Sequence, residues 1–199
     1  MIRTATFALL LAFASCSAAA STLCRDGETD YFSCTLRDGR QLSVCGQVDT
    51  DSRHDAPADG EWLQLRLGQP GALALAWPKA HAGSTDAFEG NVFVRYDLSD
   101  LRFAIGPRLY GVSLTLGGAP DDAGGHLKRQ AGIGWQLADG ASRSSSCRRV
   151  DARRYAAPFQ DLNIALHRRR PQSDLLETWA KAGVKPPAAA PASRKTPPP

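Results

Sequence analysis

The residues that could do chemistry are few and scattered. Histidine is the usual imidazole base, and the chain has His54, His81, His126 and His167, none of them inside a local catalytic motif. A serine nucleophile elbow needs G-x-S-x-G, but Gly111-Val112-Ser113-Leu114 continues into Thr115 within a strand-like run. There is no H-E-x-x-H, phosphate-binding loop or dinucleotide fingerprint, since Gly132-Ile133-Gly134 lacks the third glycine of the last. Asp121-Asp122 lies in a stretch rich in glycine and aspartate, 117–125, where solvation accounts for paired carboxylates. Asp49, Asp51, Asp55 and Asp59 faintly suggest a calcium loop. Its sixth position needs glycine and its twelfth glutamate, but His54 and Gly60 stand there, so the segment reads as a solvated loop. No catalytic residue, metal ligand or cofactor is assigned. The expectation is a non-enzymatic protein, the alternative an enzyme whose site is assembled from distant strands.

The cysteines carry clearer chemistry, and its meaning depends on compartment. Met1–Arg3 supply one positive charge, Ala5–Ala14 are apolar, and Ser15–Ser21 are small. This is the layout of a secretory signal over residues 1–20, cleaved after Ala20 and too short to span a bilayer. The mature protein is then periplasmic or secreted. The alternative is an envelope protein lipid-anchored through Cys16, because Ala14-Ser15-Cys16 fits the end of a lipobox, although Phe13 stands where leucine is usual. After signal removal Cys24, Cys34, Cys45 and Cys147 remain, and an even number in an oxidising compartment reads as two disulfides. Their gaps contain no C-x-x-C pair of the kind zinc prefers. Phe32, Cys34 and Leu36 alternate before Asp38-Gly39, and Leu42 and Val44 follow it. If both sets face the core, Cys45 lies on the face opposite Cys34, which favours Cys34 with Cys147 and Cys24 with Cys45. A four-residue loop would instead set Cys34 across from Cys45, so that pairing stays open.

The elements that must position these residues are strands. Period-two runs predict them at 31–37, 41–48, 61–67, 72–77, 91–98, 101–106, 110–116 and 131–137. Asp38-Gly39 and Gly68-Gln69-Pro70-Gly71 mark hairpins. The fold class is mainly β, an antiparallel sandwich or small barrel, with one short C-terminal helix at Ser173–Ala182 and a disordered Pro/Ala-rich tail over 186–199. The 199 residues allow one such domain, over 21–185.

The formal charge of +4 divides unevenly. Residues 21–146 hold twelve Lys and Arg against sixteen Asp and Glu, whereas residues 147–199 hold eleven against four. The basic section contains Arg148, Arg149, Arg153, Arg154, His167, Arg168, Arg169 and Arg170. Export argues against nucleic acid as its partner. An anionic surface, an envelope protein or the acidic body itself fits better, and no transmembrane segment remains once the signal is gone. Trp62, Trp77, Trp135 and Trp179 could form a carbohydrate platform, but strands of a small domain place most tryptophans in the core.

Cys24, Tyr31-Phe32-Ser33-Cys34, Leu42-Ser43-Val44-Cys45 and Trp62-Leu63-Gln64-Leu65-Arg66-Leu67-Gly68 with Pro70-Gly71 resemble a family of small exported bacterial proteins of unassigned function. In that family the matching stretches run FSC, VSxC and YLQYRFG before a PG. Asp174-Leu175-Leu176 and Ala182-Gly183-Val184 are similar to its C-terminal helix. The resemblance implies export and a β-rich fold, and no reaction. Phe32-Ser33-Cys34 with Arg37-Asp38-Gly39 also resembles the opening of periplasmic c-type lysozyme inhibitors, small barrels in which a disulfide like Cys34 with Cys147 joins the first strand to the C-terminal end. Inhibition of a lysozyme-like cell-wall hydrolase is therefore the second alternative function. The inhibitory Ser-Gly-x-x-Tyr loop is missing, the nearest string being Gly83–Phe88, so no inhibitory residue is carried over.

Overall fold

A computed structural model describes residues 22–51, 56–93, 98–116, 130–137 and 140–169. The signal segment with Cys16, the helix expected at 173–182 and the tail at 186–199 lie outside the described residues. Nine strands form among the described residues: β1 (Thr29–Leu36), β2 (Gln41–Gln47), β3 (Trp62–Gln69), β4 (Ala72–Trp77), β5 (Phe88–Phe93), β6 (Leu98–Ile105), β7 (Arg108–Thr115), β8 (Gln130–Gln136) and β9 (Ser142–Arg149). They make one sheet in the order β4-β3-β2-β1-β9-β8-β7-β6-β5, with every pairing antiparallel. The period-two runs thus give the mainly β fold they predict. The strand expected at 91–98 begins earlier, at Phe88, because Phe88 and Gly90 already alternate inward against the core.

The sheet is two arms joined at a narrow seam. β9 pairs with β1 only at Thr35 and Leu36, with an irregularity between them. The arms fold toward each other over one core. Although β4 and β5 are the two ends of the strand order, the Trp77 ring lies 5.3 Å from Phe88 and 5.2 Å from Phe103. Phe32, Leu36, Val44, Leu63 and Leu65 from one arm and Leu101, Phe103, Val112 and Ile133 from the other belong to the same buried cluster.

Alternation also dresses the outer face of the first arm. While Leu63 and Leu65 point inward, Gln64 and Arg66 point outward and are nevertheless buried, because residues 22–28 lie across them. The Arg66 guanidinium donates to both carboxylate oxygens of Glu28, at 2.5 and 2.8 Å, and to the Leu23 carbonyl at 2.9 Å. Cys24 is bonded to Cys45 on this outer face, and Cys34 to Cys147 on the inner one. The backbone register sets Cys34 beside Leu42 and Cys45 beside Asp30, so the two β1–β2 cysteines do occupy opposite faces. Gly39 takes the left-handed conformation that the tight Asp38-Gly39 turn requires.

Two elements depart from the sequence reading. Ser142–Arg149 is a strand, though its run SRSSSCRR offers only Cys147 as an apolar marker. Its alternation is real, because Arg143, Ser145 and Cys147 pair across from the inward-facing Trp135 and Ile133 and from Leu36, but polar side chains conceal it. The second is α1 (Ala152–Arg169), an 18-residue helix in the basic section, where the sequence reading placed no element. Pro158 and the paired arginines disguise a regular stripe, Tyr155, Phe159, Leu162 and Leu166, all buried. Asp151 starts the helix, its carboxylate accepting from the Arg154 amide at 3.2 Å.

The helix packs on β1, β5 and β6, where β9 leaves the first part of β1 unpaired. Phe32 meets Tyr155 and Phe159 at ring distances of 5.7 and 5.2 Å. Against β5 the approach is backbone to backbone. A Cβ on Gly90 would fall on the Asn163 carbonyl oxygen and 2.7 Å from its Cα, so only glycine admits the helix at this height. Gly90→Ala is expected to destabilise the protein by about 1–3 kcal/mol through overpacking. Chemical denaturation checks it, and an unchanged midpoint would show that α1 does not sit this close.

Candidate functional site

Antiparallel pairing gathers four hairpin turns at one end of the molecule: Arg37–Arg40, Pro70-Gly71, Gly106-Pro107 and the turn closed by the Leu137 amide on the Ala141 carbonyl. Two are tied directly, the Gln69 amide donating to the Gly39 carbonyl at 2.9 Å. Between the arms at this end lies a cleft of about 360 Å³. Leu67 and Leu75 form one wall, and Tyr110, Ile133, Trp135 and Leu137 form the other. The second wall continues an aromatic ladder: Phe103 stacks on Trp77 at 5.2 Å and on Tyr110 at 5.2 Å, and Tyr110 lies 6.3 Å from Trp135. The ladder is rooted in the core, which makes this wall stiff.

Three arginines complete the lining, each from beside a turn. Arg40 follows the β1–β2 turn and is held by Asp38, whose carboxylate takes Nε at 2.9 Å and Nη2 at 2.6 Å. The arginine in turn keeps the Asp38 carboxyl below its ordinary range, chiefly through that hydrogen bond. Arg108 opens β7, and Arg143 pairs in register with Trp135. Among the described residues, neither Arg108 nor Arg143 forms an ion pair. Two guanidinium forks beside apolar walls can hold a carboxylate or phosphate in two parallel hydrogen bonds while the walls cover a hydrocarbon.

The sequence candidates lie elsewhere. His81 stacks on Trp62 at 3.8 Å with the rings nearly parallel, and His167 is exposed on the last turn of α1. His54, His126 and Asp121-Asp122 are outside the described residues. The atoms of Cys24, Cys45 and Glu28 come within 4.8 Å of one another, but the sulfurs share a disulfide and Arg66 holds the carboxylate. Gly83–Phe88 forms a short turn with Ser84 buried, its hydroxyl accepting from the Leu63 amide at 2.9 Å. Of the tryptophans, Trp62 is buried, Trp77 packs on the core, and Trp135 alone lines the cleft; Trp179 is outside the described residues.

The basic section is partly spent on the acidic body. Arg169 donates to both oxygens of Glu61, at 2.5 and 3.0 Å, with both side chains 6% exposed, and reaches the Asp49 carbonyl at 3.3 Å. Glu61 and the Asp49 carbonyl thereby dock the end of α1. At the start of the helix, Arg154 and the Tyr155 hydroxyl both donate to Asp30, at 3.2 and 3.0 Å. Burial, then the Asp30 charge and hydrogen bond, push the Tyr155 hydroxyl up to about 12, so it stays a donor that fixes the helix. Arg148, Arg149 and Arg153 remain exposed.

Sequence reasoning did not single out Arg40, Arg108 or Arg143. The usable signal was an arginine within three residues of each of three turn glycines or prolines, but only the strand order shows that the turns share one end. No protein-family model, curated protein or solved structure matches this chain.

Proposed function

We propose that the protein is an exported, non-enzymatic binding module of the bacterial envelope, and that the cleft at the hairpin end is its binding surface. The reading is supported by the signal-like N-terminus and by the two disulfides of the kind that persist in oxidising compartments. The observation that carries it is the cleft itself. A concave, mostly apolar site with a few convergent polar groups at the mouth of a curled sheet is the usual form of a ligand pocket. Arg108 and Arg143 pair with no acid among the described residues.

A photo-crosslinking residue placed at Leu137, on the cleft wall, tests the reading in intact envelopes. An adduct is expected on irradiation. The same residue at Lys79, exposed beyond the far end of β4, should give none. Equal labelling from both positions, or none from either, would contradict the cleft as the binding surface.

A further inference from the structure

The chemistry of the cleft narrows its occupant. We infer that the cleft takes a free single-chain aliphatic carboxylate, with the chain between the Leu67–Leu75 wall and the Tyr110–Trp135 wall and the head at Arg108 and Arg143. This rests on the cleft being the binding surface.

Three observations carry it. The first is charge. Arg40 is already matched by Asp38, whereas Arg108 and Arg143 pair with no acid among the described residues, so the lining has cationic hydrogen-bonding capacity left for an anion. The fork geometry of guanidinium suits the planar, two-oxygen carboxylate. The second is the lining. Six of the nine described residues that line the cleft are aliphatic or aromatic, a surface that a small hydrated anion would leave in water. A head and a tail are both needed to satisfy it. The third is size. About 360 Å³ is near the lower end of ligand pockets, which run from roughly 300 to 1,000 Å³, and it suits one hydrocarbon chain better than the two of a membrane phospholipid.

The position adds a consequence. One wall belongs to each arm of the sheet, so a bound chain joins the arms beside the narrow β1–β9 seam. Binding to the folded state only then raises stability by mass action.

The test uses the mature protein with both disulfides formed and decanoate as the probe, below its aggregation concentration. Decanoate is expected to shift the Trp135 emission and raise the melting temperature. Decanol, decyltrimethylammonium and acetate at equal concentration should do neither. Arg108→Glu with Arg143→Glu is expected to weaken decanoate binding by about a hundredfold, on the order of tenfold for each charge-assisted contact. Both side chains are exposed, so the unliganded melting temperature should stay unchanged. Arg153→Glu, exposed on α1 and outside the cleft lining, serves as the charge control and should bind normally. Decanol or the ammonium binding as well as decanoate would overturn the anion assignment while leaving the cleft reading intact. Binding of phosphatidylglycerol vesicles without binding of decanoate would point to surface attraction and overturn it too. If no amphiphile binds but labelling from Leu137 stays specific, the ligand class is wrong; if that labelling is also lost, the binding surface itself is wrong.

Discussion

Removing the Cys34–Cys147 bridge is expected to cost about 5 kcal/mol, against about 3 kcal/mol for Cys24–Cys45. The difference follows from loop closure, because the bridges span 113 and 21 residues and the entropy withheld from the unfolded chain grows with the logarithm of that span. Topology reinforces it. The seam between the arms consists of two β1–β9 residue pairs, and Cys147 is the partner of Leu36 in one of them. Alanine is the suitable replacement at both positions, since Cys34 is only 5% exposed and a serine hydroxyl would add an unmet polar group. Urea denaturation of Cys34→Ala/Cys147→Ala and of Cys24→Ala/Cys45→Ala compares the two. Loss of the long bridge should also disorder β9 first, and with it Arg143 on the cleft, whereas loss of the short bridge should leave the cleft unchanged. Equal losses for the two pairs, or a larger one for the short bridge, would mean that the arms hold together without the covalent tie.

The second large effect belongs to the covered outer face. Arg66→Ala leaves the Glu28 carboxylate, 10% exposed, without its cation and is expected to cost about 3–5 kcal/mol. Arg66→Met with Glu28→Leu should recover most of that, because the pair contributes little beyond what an apolar replacement of similar size would. The pH dependence has a definite sign. Burial pushes the Glu28 carboxyl up, but the Arg66 hydrogen bonds, the Arg25 amide and the two arginine charges together outweigh it, and the folded protein holds it below its ordinary 4.5. A depressed carboxyl stabilises the fold above its unfolded value and loses that contribution as pH falls through the folded one. Wild-type stability should therefore drop below about pH 4.5, more steeply than that of the Met/Leu double variant. Parallel acid limbs for the two proteins would show that Glu28 is not held as described.

The fold was legible where chemistry and periodicity agree. Leu63, Leu65 and Leu67 alternate with polar residues, the Asp38-Gly39 turn fixes the register beside them, and that register alone separates the faces of Cys34 and Cys45. It was illegible where polar residues fill inward positions. Ser145 and Arg143 face the inner side of β9 because this strand borders the cleft and the seam, not the packed centre, so hydrophobicity carries no strand signal there. α1 was hidden differently. Its stripe of Tyr155, Phe159, Leu162 and Leu166 follows helical spacing, but Pro158 inside it and the surrounding arginines read as interruption and charge. Outward burial could not be read at all. Arg66 is as buried as the leucines beside it only because residues 22–28 return over the sheet, a tertiary event with no local signature. The cleft shares that character, since its arginines are separated by 35 residues or more in the chain and meet only through the order of the strands.

The central claim is that the molecule binds at its hairpin end, and the indole N–H of Trp135 reports on it most directly. In a two-dimensional nitrogen–proton NMR titration of the disulfide-bonded protein with decanoate, that resonance should move together with the Tyr110 and Arg143 amides, while the indole of Trp62, stacked on His81, stays still. Shifts centred on Trp62, or none at Trp135 at saturating probe, would contradict the account.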